Sequence, residues 1–204
     1  ILHTIAQALM IPCLIILLIL MAGAVWQIGD IVVEYIAERR KHKCNVPQLL
    51  RDVHTAGADG LAELIENSGL LRRQKKALLE LAESRSLPKD TLTALAERLL
   101  ATEEARNART TSVTDMIAKL GPMFGLLGTL IPLGPGIVAL GQGDTVTLSE
   151  SMNVAFDTTI AGVISAAVAS VISHLRKRWY NDDMVSLETL MEAVLEEVTA
   201  DVEG

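Results

Sequence analysis

The sequence predicts an all-α integral membrane protein. It has three transmembrane helices, a cytoplasmic helical domain, and a second-span helix that extends into the cytoplasm. Three observations carry this. Apolar runs occur at Thr4–Gly29, Leu120–Gly143 and Ser151–Ser173, and the first two hold no charged side chain in 26 and 24 positions. A helix rises about 1.5 Å per residue, so each is long enough to cross a hydrocarbon core roughly 30 Å thick. Every Lys and Arg lies between Arg39 and Lys119 or at Arg176, Lys177 and Arg178. Aromatics make up only 3% of a chain whose mean hydropathy is +0.36, which disfavours an aromatic-girdled barrel.

Taken in order, residues 1–33 are assigned to the first transmembrane helix. The chain opens on Ile1, which points to residues upstream. A secretory signal is disfavoured because no basic segment precedes the run and the run is too long. Pro12 is tolerable in a membrane helix, and Trp26 suits the headgroup level near its end. The cluster Arg39, Arg40, Lys41 and Lys43 then marks the cytoplasmic side by the positive-inside rule. Lys119 and Arg176–Arg178 agree with it, and the base-free link Gln142–Glu150 falls outside. The N-terminus is therefore expected outside and the C-terminus inside the cytoplasmic (inner) membrane.

Residues 34–112 read as a cytoplasmic helical domain. Asn45-Val46-Pro47 has the form of a helix start, with a capping side chain and Pro in the first turn. Leu49, Leu50, Val53, Leu61, Leu64 and Ile65 recur at helical spacing, interrupted by Gly57 and Gly60. Leu70 to Leu81 continue the pattern. Leu87-Pro88-Lys89-Asp90 starts another helix, which meets no Pro or Gly until Gly121 and so is expected to run unbroken into the second span, residues 113–143. An external link at 144–150 leads to the third span, 151–175. Residues 176–204 form an amphipathic tail with Leu187, Leu190, Met191, Val194, Leu195 and Val198 on one stripe. The tail carries eight acids and no base after Arg178, so it should dock on the cytoplasmic helices rather than on anionic lipid.

The third span is rich in small and hydroxyl residues, among them Thr158, Thr159, Gly162, Ser165, Ala166 and Ala169. Such residues let helix backbones approach closely in lipid, where van der Waals contact holds helices together. Gly125 and Gly128 supply the same on the second span. Asp157 is an acid inside a span, a position that by default is paired or functional. It lies two residues, about 200° of helix, from Thr159, so the two do not share a face. Asp157 is therefore expected at an inter-helix polar contact or external relay, with a direct place in an ion path as the alternative. Two cysteines, Cys13 and Cys44, give no disulfide framework. His42, Cys44 and His54 lack zinc-site spacing, the glycines of the second span precede no Lys-Ser/Thr, and the basic residues at 72–76 have no interleaved aromatics. Neither a metal site, a phosphate loop nor nucleic-acid binding is expected, and no catalytic arrangement points to an enzyme.

GPMFGLLGTLIPLGPG and LSESMNVAFDTTIAGV together resemble the second and last spans of the MotA/TolQ/ExbB proton-channel family. Thr129 and Thr159 fall on the family's two threonines. The three-span layout is similar to the TolQ and ExbB branch. Pro132 and Pro135 inside the second span, and Asp157 at a usually apolar position, depart from the pattern. The resemblance implies a homo-oligomer, a pentamer, around a single-span partner similar to MotB, TolR or ExbD that carries an intramembrane aspartate. It implies no cofactor, only transported H+ or Na+, with an ion pathway through Thr129, Thr159, Thr158 and Asp157 and packing through Gly125, Gly128, Gly162, Ala166 and Ala169. The function expected is an ion-conducting stator subunit of an ion-motive-force-driven motor. The alternative is a non-conducting membrane scaffold.

Overall fold

A computed structural model describes residues 7–36 and 45–203, and among these there is no strand. Five helices follow in order: α1 (Met10–Glu34), α2 (Val46–Asn67), α3 (Arg72–Glu83), α4 (Lys89–Gly141) and α5 (Thr145–Glu203). Helices α1, α4 and α5 each contain a stretch long and apolar enough to cross a membrane. The protein is an all-α, multi-pass membrane protein. The expected basic cluster at residues 39–43, with His42 and Cys44, lies outside the described residues.

Two compact units divide the chain, residues 1–31 with 110–176 and residues 32–109 with 177–204. The first, the spanning unit, joins α1 to parts of α4 and α5. Leu20 and Ala24 of α1 pack with Ile117 of α4 and Ala169 of α5, and Ile16, Leu120, Phe124 and Val168 close around them. Pro122, Pro132 and Pro135 sit inside α4 without ending it. Each removes an i→i−4 hydrogen bond, a loss that helices packed inside a membrane bundle accommodate.

The second unit has a core of large aliphatics. Leu49, Val53, Leu61, Ile65, Leu78, Leu81 and Leu92 are buried with Leu187, Leu190, Met191, Val194 and Val198 in one cluster. The tail stripe read from the sequence thus packs on α2, α3 and α4. His54 Nδ1 meets Glu197 Oε1 at 2.7 Å, and Gln74 Nε2 donates to the Asp183 carbonyl at 3.0 Å. Tyr35 and Trp179 stack with ring centroids 6.1 Å apart.

Local details differ from the sequence reading at three places. The Asn45 side chain makes no cap; its carbonyl instead accepts from the amides of Gln48 and Leu49, both at 3.0 Å. No break separates the third span from the tail, because α5 meets no Pro or Gly between Gly162 and its end at Glu203. The polar link is tighter than Gln142–Glu150, since helix resumes at Thr145. Gly143 has φ 75° and donates to the Leu140 carbonyl, while Asp144 N–H reaches the Ala139 carbonyl at 2.9 Å. This is a Schellman ending, which favours Gly at the left-handed position. Asp144 then caps α5: its Oδ1 accepts from Val146 and Thr147 N–H, and its Oδ2 from Thr147 Oγ1 at 2.6 Å. One residue-pair therefore ends one helix and starts the next.

Candidate functional site: a glycine-locked hairpin

The hairpin of α4 and α5 inside the spanning unit is held by backbone proximity. A Cβ placed on Gly162 would lie 2.5 Å from the Gly121 carbonyl oxygen and 2.9 Å from the Gly125 Cα. A Cβ on Gly121 would lie 2.7 Å from the Gly162 carbonyl oxygen and 3.0 Å from the Ala166 Cβ. One on Gly128 would strike Thr158 Cβ at 2.5 Å, and one on Gly136 would come within 3.2 Å of Ser151 Cβ. The sequence produces this because Gly121, Gly125 and Gly128 recur on one face of α4, opposite Thr158, Gly162 and Ala166 on α5. Backbones that close gain dispersion contacts along the whole seam, which lipid alone does not supply. Of the expected packing residues, Gly125, Gly128, Gly162 and Ala166 lie in this seam, and Ala169 faces α1.

The four expected ion-path residues are spread around the hairpin. Thr158 is buried against Gly128, and its Oγ1 donates to the carbonyls of Val154 and Ala155, each at 2.9 Å. Thr159 is half-buried and donates to the Ala155 carbonyl at 3.0 Å. Thr129 is half-buried and donates to the Leu126 carbonyl at 2.7 Å. Asp157 is exposed on the outer face, beside exposed Phe156 and Ile160, and makes no hydrogen bond or ion pair among the described residues. No side-chain bond joins these four to one another.

The family comparison decides the class of the molecule. The MotA/TolQ/ExbB proton channel family matches residues 65–189, more than half of the 204 in the chain. The chain belongs to this family. Its matched region contains the whole hairpin, and membership makes the protein a membrane proton-channel-type subunit of an energising complex, in a family whose members work with a partner membrane protein. No individual curated protein matches the chain.

A second polar constellation, inside the same unit, was not singled out from the sequence. Arg176 is 1% exposed, and its guanidinium donates to Gln27 Oε1 and to Asp30 Oδ2, both at 2.7 Å. Ser173 Oγ donates to Asp115 Oδ1 across α5 and α4. A signal for it existed. Three spans that alternate direction bring the end of the first, the start of the second and the end of the third to one level, so their polar groups must meet. Gln27, an amide near the end of the first apolar run, marks that level.

Proposed function

We propose that this chain is the ring-forming, ion-conducting subunit of an ion-motive-force-driven motor that energises a single-span partner bearing an intramembrane aspartate. The observation that supports it is the composition of the matched hairpin. A seam of glycines locks the two arms, leaving Thr129 half-exposed on one and Thr159 and Asp157 accessible on the other. Hydroxyls offer one donor and two acceptors each, which can pass a proton-bearing water or solvate Na+ without a fixed charge in the path. Five copies around a partner dimer would place these groups between chains. In this reading the N-terminus is outside, the loop at Gln142–Asp144 is outside, and the second unit is cytoplasmic. Asp157, with no partner among the described residues, makes a polar contact with a neighbouring chain.

A non-conducting scaffold is the second reading, and one observation favours it. The hydroxyls of Thr129, Thr158 and Thr159 all donate to their own helix backbone, the default behaviour of threonine in membrane helices. One experiment separates the two. The chain, co-reconstituted with its single-span partner, is assayed for ion flux driven by a pH or sodium gradient in proteoliposomes. The double variant Thr129→Val and Thr159→Val keeps shape and removes both hydroxyls. On the conducting reading its assembly persists and flux falls at least tenfold; on the scaffold reading flux is absent in the parent and unchanged in the variant.

A further inference from the structure

Many threonines among the described residues close on their own helix, and the one that is fully buried does not. Thr55, Thr93, Thr102, Thr129, Thr158, Thr159 and Thr189 each donate to a carbonyl three or four residues back. Thr114 is 0% exposed, and its Oγ1 has no hydrogen-bond partner among the described residues. A buried polar atom in that state loses its hydration and regains nothing, so such atoms are normally met by a water.

The surroundings suit one. Thr114 precedes Asp115, whose carboxylate already accepts from Ser173 on the facing helix. The register of the hairpin is antiparallel and regular: Gly136 meets Ser151, Gly128 meets Thr158, and Gly121 meets Ala166. Continued by two more turns it sets Thr114 level with Ser173, and by nearly three Thr111 level with Arg176. Thr111 and Ser173 are both buried. The charged groups around this level are Asp115 and Lys119 on α4, Asp30 on α1, and Arg176 on α5, with Arg176 held by Gln27 and Asp30. A fully buried hydroxyl thus lies one residue before the Asp115 carboxylate and, by register, at the level of the buried Ser173 hydroxyl that donates to it. A water needs two to four polar partners, and the Thr114 hydroxyl together with the Asp115–Ser173 pair at its level offers that number of donor and acceptor sites.

We propose that Thr114, with the Asp115–Ser173 pair, holds an internal water that serves as a proton-exchange station inside each subunit. It is distinct from the Thr129, Thr158 and Thr159 positions. The station's proton moves only between the water and the Asp115 carboxylate, one O–H bond forming as another breaks. The water site itself does not depend on the conducting reading; its role in flux does. Three measurements on the full chain test it. In a structure of the protein in nanodiscs at a resolution that shows waters, a density peak within hydrogen-bond distance of Thr114 Oγ1 supports the proposal, and a dry contact overturns it. Thermal melting gives the sign independently. If a water is held, Thr114→Val lowers Tm and Thr114→Ser retains it; if the hydroxyl is a dry orphan, Thr114→Val raises Tm, and the proposal fails. Melting of the parent should be the same in sodium and potassium salts. A rise specific to sodium that Asp115→Asn abolishes would mean a cation site and overturn the water. If flux is established for the parent complex, Thr114→Val should reduce it several-fold while Thr114→Ser conducts normally, and unchanged flux in Thr114→Val refutes the exchange role.

Discussion

The two units of this molecule are packed from opposite kinds of residue. In the second unit the buried set is Leu61, Leu78, Leu81, Leu92, Leu187 and Leu190 with their neighbours, large side chains interdigitating around one core. In the spanning unit the α4–α5 seam is Gly121, Gly125, Gly128 and Gly162 against Thr158 and Ala166, and many large aliphatics of these two helices, among them Leu126, Leu130, Ile160 and Ile164, are exposed. In the proposed topology, with the second unit in the cytoplasm, water supplies the difference. Burying a leucine from water is worth about 1.5–3 kcal/mol, so a water-bathed unit gathers leucines inside. Lipid is as apolar as leucine, so a spanning unit gains only from close contact and from satisfying its polar groups internally.

Substitutions that exchange these strategies should break each unit differently. The largest expected effect is in the second unit. Leu81→Ala opens a cavity at a fully buried position and should cost about 2–5 kcal/mol, read as a loss of melting temperature of the purified protein. A loss under 1 kcal/mol would show that the leucine cluster is not what holds this unit.

Next comes the smallest possible enlargement of the seam. Gly162→Ala adds one methyl group directed at backbone atoms that cannot rotate away, and should cost about 1–3 kcal/mol with loss of compact assembly in detergent. Gly141→Ala, where nothing lies within 4 Å, should be within about 0.5 kcal/mol of the parent. Equal tolerance of the two would contradict a seam held by backbone proximity.

The smallest effect concerns the link. The Asp144 carboxylate is held below its ordinary range first by the Thr147 hydroxyl, then by the backbone amides of Thr147 and Val146. A carboxylate whose folded pKa is depressed stabilises the fold above its unfolded pKa, about 3.9, and that stability is lost as pH falls through the lowered folded value. Protection of the Val146 and Thr147 amides from hydrogen exchange, taken against the intrinsic rate at each pH, should therefore fall below about pH 4 in the parent. Asp144→Asn caps without titrating and should remove that pH dependence. A parent whose exchange protection is flat down to pH 2 would exclude the cap.

Much of this was legible in the sequence because its causes are local or compositional. The three apolar runs, the Leu87-Pro88-Lys89-Asp90 helix start, the kink glycine Gly57 at φ 62°, and the tail stripe Leu187–Val198 all follow from periodicity and punctuation. The glycine seam was legible as a tendency, from small residues on two spans. What the sequence did not yield is partner identity across helices. Thr158 rather than Thr159 is the threonine buried on Gly128, a difference of 100° of helix rotation that composition does not encode. Arg176 looked like one of three interfacial bases, yet it alone is buried, because Gln27 and Asp30 lie at its level. The short link escaped because Thr145–Glu150 is polar in composition yet helical once Asp144 caps it.

The central claim is that the spanning unit locks its own hairpin through the glycine seam and leaves Asp157 for contact with another chain. The most direct test is a paired measurement on Asp157→Asn and Asp157→Leu in the co-reconstituted complex, reading oligomer mass and gradient-driven ion flux together. The account predicts that Asn, which still hydrogen-bonds, keeps assembly and most of the flux, and that Leu loses both. An Asn variant that assembles normally and conducts nothing would contradict it, and would make Asp157 a titrating site in the ion path.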